Sequence, residues 1–125
     1  MKRLVLILAM VAAAVMVVSS CSKKKFETPD SLVGTSWTAS ETIPKENGQI
    51  TYALSVTDQS NWKMIVSVYI NGQMVDQDNV KGTYIYEKPN VIIKEDEHTY
   101  EGFIDGGTLF IKDAGEYGDL YFSRN

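Results

Sequence analysis

A chain of 125 residues with 44% hydrophobic and 22% charged residues has room for one globular domain and none for two. Its formal net charge of −4 argues against nucleic acid as a partner, because a phosphate-binding face needs clustered Lys and Arg.

The first element is a targeting segment. Met1-Lys2-Arg3 supplies a short basic region, and Leu4 to Val18 is an apolar run of 15 residues. That length is short for a bilayer-spanning helix of about 20 residues and normal for a signal-peptide core. Val18-Ser19-Ser20-Cys21 follows and resembles the lipobox of bacterial lipoproteins. The resemblance implies that residues 1–20 are removed as a lipoprotein signal peptide and that Cys21 is lipidated, becoming the first residue of the mature chain. A lone exposed thiol in an oxidising compartment would otherwise be a liability. Two or three acyl chains, at about 0.8 kcal/mol per buried methylene, make such an anchor effectively permanent.

Loss of residues 1–20 leaves 10 basic and 16 acidic residues, and from Leu32 onward 7 basic face 14 acidic ones. The domain is acidic and its tether basic. Residues 21–31 read as the lipidated, flexible tether, with Lys23, Lys24 and Lys25 beside the lipid and Phe26 as the one large apolar side chain. Each lysine adds on the order of 1 kcal/mol of attraction to anionic headgroups. The chain resembles small lipoproteins of the Bacteroidetes type, whose surface-export signal is an acidic run after the lipidated cysteine. Ser22-Lys23-Lys24-Lys25 departs from it, which implies the periplasmic face of the outer membrane.

From Leu32 the pattern is strand-like, with period two and no sustained helical repeat. Strands are predicted near 33–42, 49–57, 62–70, 73–79, 81–87, 90–95, 98–105, 108–112 and 118–123. Tyr52, Leu54 and Val56 share one face, as do Trp62, Met64, Val66, Val68 and Ile70. Among the turns, Asn71-Gly72 is the strongest, since both central positions of a type I′ turn need positive φ. Eight or nine antiparallel strands joined by tight turns give an all-β, up-and-down meander. It either closes into a small β-barrel, which short hairpins and the lack of a crossover favour, or splits into a two-sheet β-sandwich.

Leu32-Val33-Gly34-Thr35-Ser36-Trp37, Gly82-Thr83-Tyr84-Ile85-Tyr86 and Tyr100-Glu101-Gly102-Phe103-Ile104 occur in an order similar to the lipocalin-like lipoprotein domains of gut Bacteroidetes, over residues 32–125. The resemblance implies that Gly34 and Trp37 close one end of the barrel with the terminal strand beside them. Lipocalins proper have Gly-x-Trp, whereas two residues separate Gly34 from Trp37, so Trp37 is expected to face the other way or to follow a bulge.

Chemistry is sparse. His98, beside Glu95, Asp96 and Glu97, reads as a solvated turn before it reads as a metal site or an acid/base pair. Asp76-Gln77-Asp78-Asn79 hints at a calcium loop but lacks the glycine and distal Glu of an EF-hand. No nucleophile motif or phosphate-cradling loop is present, so no enzyme activity, cofactor or metal is expected. The aromatic residues remain. Trp37, Tyr52, Trp62, Tyr84, Tyr86 and Phe103 either fill the barrel, which the size of the domain favours, or line a pocket for a small apolar ligand. The expectation is a lipid-anchored, non-enzymatic binding domain of the cell envelope, with an interaction or inhibitory role toward an envelope protein as the alternative. An empty apolar cavity above about 300 Å³ would favour the first, and a filled barrel with a contiguous exposed aromatic patch the second.

Overall fold

The computed structural model describes residues 26–125. The signal peptide, Cys21 and the three lysines lie outside the described residues. Eight strands form one closed barrel: β1 (Ser36–Ile43), β2 (Gly48–Val56), β3 (Asn61–Ile70), β4 (Gln73–Glu87), β5 (Asn90–Glu95), β6 (His98–Asp105), β7 (Thr108–Ile111) and β8 (Leu120–Arg124). Every strand pairs antiparallel with its sequence neighbour, and β8 returns to β1 through Trp37↔Arg124 and Thr38↔Ser123. The barrel therefore forms, and the sandwich does not. Strands 73–79 and 81–87 of the sequence reading are one 15-residue strand, because β3 pairs with it from Asn61↔Thr83 to Ile70↔Gln73 across a single irregularity at Val68/Tyr69.

The period-two pattern sets the inside of the barrel. Ile50, Tyr52, Leu54 and Val56 on β2 are buried, as are Trp62, Val66 and Val68 on β3. The outer phase of β1 and β2 carries Thr38, Ser40, Thr42, Thr51, Ala53 and Ser55. Apolar inside and largely polar outside is the reverse of a membrane-spanning barrel, whose lipid-facing wall is apolar. Asn71 (φ 52°) and Gly72 (φ 83°) make the expected β3–β4 turn.

One end of the barrel is plugged. Leu32 to Thr35 form a β-turn, in which the Thr35 amide donates to the Leu32 carbonyl at 3.0 Å. Gly34 takes its positive φ of 82° within it. This turn absorbs the extra residue between Gly34 and Trp37, so Trp37 faces inward after all and is fully buried. Its indole N–H donates to Thr35 Oγ1 at 2.9 Å, and that hydroxyl donates to the Leu32 carbonyl at 2.7 Å. The buried Trp is thus hydrogen-bonded as well as packed, as an indole N–H in a core requires. Arg124 lies with its guanidinium carbon 4.8 Å from the Phe26 ring centroid and 5.9 Å from that of Trp37, within cation–π range.

Residues 26–31, assigned above to the flexible tether, belong to this plug. Phe26 packs on Gly107, Thr28 Oγ1 accepts from the Gly106 amide at 2.8 Å, and the Pro29 carbonyl accepts from the Tyr86 hydroxyl at 2.6 Å. Asp30 pairs with Lys88 at 2.8 Å. A polar, Pro-containing composition hid these contacts because a main-chain carbonyl and short polar side chains make several of them.

Barrel curvature needs a gap in the side-chain layer, and Gly102 on β6 provides one. A Cβ there would land on the Phe110 carbonyl oxygen of β7, a close backbone approach of the kind that marks a strand glycine at a barrel bend. Gly102→Val is expected to destabilise the protein by about 1–3 kcal/mol, the usual range for overpacking. A urea titration would show this as a lower midpoint with an unchanged slope.

Candidate functional site

The opposite end of the barrel is open. A cavity of about 290 Å³ enters there, just under the volume of about 300 Å³ at which small-molecule sites begin. Tyr52 and Leu54 from β2, Trp62, Met64 and Val66 from β3, and Phe122 from β8 form much of its wall, with Ile93, Ile111 and Leu120. Asp78, Asn79 and Val80 of β4, Glu95 at the end of β5, Tyr100 of β6 and Ala114 complete its lining. The Trp62 indole N–H donates to the Thr83 carbonyl at 2.9 Å, which spends its polar edge on the wall and leaves its ring to the cavity.

Of the residues proposed from sequence, Tyr52 and Trp62 line this cavity. Trp37 is in the plug. Tyr84 is buried with its hydroxyl donating to the Asp58 carbonyl at 2.7 Å, and half-buried Tyr86 is tied to Pro29. Both rings belong to the packed half of the barrel. Phe103 lies on the outer wall, 46% exposed, because its neighbour Ile104 takes the inward phase of β6. Inside the barrel, filling and lining coexist: the plugged half is packed and the open half is hollow.

A loop covers part of the mouth, and Glu41 fastens it. Inward-phase Glu41 on β1 accepts from the Glu116 amide at 2.9 Å through Oε1 and from the Tyr117 amide at 3.0 Å through Oε2. The Tyr52 hydroxyl donates to the same carboxylate at 2.5 Å. Gly115 makes this possible, since a Cβ there would land on the Glu41 carboxylate. Burial first, then the hydrogen bond and charge of Glu41, push the Tyr52 phenol well above its ordinary value, so it stays a donor. Burial and then the charge of Glu95 raise Tyr100 as well. No local motif announces the Glu41 contact. The only sequence signal is glycine within the turn-rich run Asp113 to Gly118.

His98 is exposed on the β5–β6 turn, with its ring 6.3 Å from that of Tyr100. Glu95, grouped with it as solvated, is half-buried and lines the cavity. Asp76 to Asn79 lie in strand β4 instead of a loop, and an extended strand cannot wrap consecutive oxygens around one cation. Among the described residues, no group of three His, Cys, Asp or Glu side chains converges on a point, and no helix is long and apolar enough to cross a membrane.

The outer wall carries a second feature. Phe103, Phe110 and Tyr121 on β6, β7 and β8 stack in sequence, with ring centroids 5.2 and 5.1 Å apart. Ile92 on β5 pairs with Ile85 on β4, both exposed, and stands one diagonal from Phe103.

Glu41→Ala should free the β7–β8 loop. Hydrogen bonds to a charged group contribute roughly 1.5–3 kcal/mol, so hydrogen exchange at the Glu116 and Tyr117 amides should accelerate by about tenfold or more, with the β2 and β3 amides unchanged. No family model, no curated protein and no solved structure matches the chain.

Proposed function

We propose that this chain is a lipid-anchored, non-enzymatic binding protein of the bacterial cell envelope, holding a small apolar ligand in the open half of its barrel. The observation that carries this reading is the cavity of about 290 Å³, walled by Tyr52, Trp62, Met64 and Phe122 and bordered by the polar side chains of Asp78, Asn79 and Glu95. A domain of this size needs its large apolar groups for the core, so a hollow kept among them costs stability. A binding role accounts for that cost.

The lipocalin-like reading gains support from Trp37 buried at the closed end with the terminal strand β8 beside it. The lipobox resemblance at Cys21 and the Lys23–Lys25 run support attachment to the outer membrane on its periplasmic side. Phe26 packs at the plugged end, five residues after Cys21. Five extended residues reach roughly 17 Å. An anchor at Cys21 therefore keeps the plug near the membrane and turns the mouth away from it.

A second reading, contact with an envelope protein, is favoured by the Phe103–Phe110–Tyr121 strip, since contiguous exposed aromatic surface is a common mark of an interaction site. The strip and the cavity are on opposite sides of the barrel wall, so the two roles are compatible.

Filling the cavity tests the first reading. Met64→Trp places a bulky ring in the hollow and should weaken binding of a neutral apolar fluorescent probe by about tenfold or more, while the circular dichroism of the barrel is retained. Unchanged probe affinity would count against the cavity. For the anchor, Cys21→Ala should abolish palmitate labelling and leave unprocessed precursor.

A further inference from the structure

We propose that the ligand of this cavity is an amphiphile with a cationic head, such as an alkylammonium. Its apolar part would enter the barrel and its charge would stay at the rim. The proposal rests on the ligand-binding reading above and adds the sign of the ligand's charge.

Acidic side chains share the inward phase at the mouth. Asp78 and Glu95 both line the cavity. The two come from adjacent strands, with Glu95 one step beyond the last Thr83↔Lys94 pair. Neither side chain makes a hydrogen bond or ion pair among the described residues, whereas Glu41, another inward carboxylate, is already satisfied by Tyr52 and two loop amides. Strand alternation sends the nearby lysines outward: Lys94 lies between cavity-lining Ile93 and Glu95, and Lys81 follows Val80. Lys112 follows buried Ile111 and is exposed. Arg124, the one Lys or Arg with inward phase in a described strand, sits in the plug against Phe26 and Trp37. His98 is on the exposed turn.

A ligand in this hollow therefore meets apolar walls below and two uncompensated carboxylates above. An anionic head would be brought toward like charges in a setting less polar than water, where coulombic terms grow. A cationic head would find its counter-charges there and the rings of Trp62 and Tyr100 within the same lining, both able to attract a cation by their π faces. The rim thus discriminates against fatty-acid-like ligands while the apolar wall accepts the chain of either, which is how selectivity arises by repulsion as well as attraction.

The test uses the full-length protein and three ligands with the same chain and different heads: octyltrimethylammonium, octanol and octanoate, titrated by tryptophan fluorescence. The cation should bind about tenfold or more tightly than the anion, with octanol between them. The double variant Asp78→Asn, Glu95→Gln should close that gap by about three- to tenfold, as expected for partly exposed charges, and leave octanol unchanged. Added salt should narrow the gap in the parent protein only. Octanoate binding as well as the cation, or a double variant that shifts all three ligands alike, would overturn the proposal while leaving the ligand-binding reading intact. Failure of all three to bind would overturn both.

Discussion

The barrel depends on a short seam. Seven of the eight strand junctions are hairpins or close loops, which the chain makes locally. The eighth, β8 to β1, joins the two ends of the domain and consists of two residue pairs, Trp37↔Arg124 and Thr38↔Ser123. Side chains and terminal residues extend it: the Asn125 amide donates to the Ser36 carbonyl at 3.0 Å, and Thr38 Oγ1 donates to Asn125 Oδ1 at 2.9 Å. All of this lies at the plugged end. Toward the mouth the ladder stops, and the link between β1 and the segment before β8 is the Glu41 carboxylate, held by the Glu116 and Tyr117 amides. Two different interactions thus close one seam: backbone pairing where the barrel is packed, and a carboxylate on loop amides where it is hollow. Without them β1 and β8 would be open edges, each a template for unwanted pairing.

The division of the molecule into two ends follows from that seam. At the plug, Leu32, Trp37, Phe26 and Arg124 are stacked and hydrogen-bonded, and the segment before β1 is fixed to the β6–β7 turn through Gly106 and Gly107. Fully burying one large apolar side chain contributes roughly 1.5–3 kcal/mol, so a few such residues concentrated at one end can offset a hollow at the other. The mouth carries the acidic groups, the longer β7–β8 loop and the projecting β3–β4 hairpin. There β4 runs from Gln73 while its pairing with β5 begins only at Thr83.

Much of this fold was legible in the residues. Strict alternation in 50–56, and a looser one in 62–68 where Ile65 is apolar yet exposed, marked two strands and most of their buried faces, and Asn71-Gly72 marked the turn between β3 and β4. The break expected near Val80 was wrong because Gly82 and a run of polar residues look like a terminus, yet β3 supplies hydrogen-bond partners along the whole length of β4. Alternation also tells inside from outside without telling height along the barrel axis. That height is set by strand tilt and stagger, which explains why Trp37, Tyr84 and Tyr86 share the inward phase with Tyr52 and Trp62 but pack the closed half instead of lining the cavity. Phe103 is a different case: Tyr100 and Phe103 are three apart and cannot share a face of one regular strand, so its outward position could have been read from parity alone.

Glu41 marks the limit of such reading. Its partners lie 75 and 76 positions away, in a loop whose composition signals only a turn. Periodicity carries no information about a side chain that crosses a seam to meet backbone amides, because neither partner has a patterned face there. A carboxylate in the inward phase of a half-buried strand is nonetheless a conflict with binary patterning, and such conflicts concentrate where a protein has something other than stability to satisfy. β1, β4 and β5 carry such residues at the same end of the barrel, among them Glu41, Asp78 and Glu95. The first is resolved within the protein by the loop. The other two line the hollow with no such resolution among the described residues, and that asymmetry separates a closing device from a binding rim.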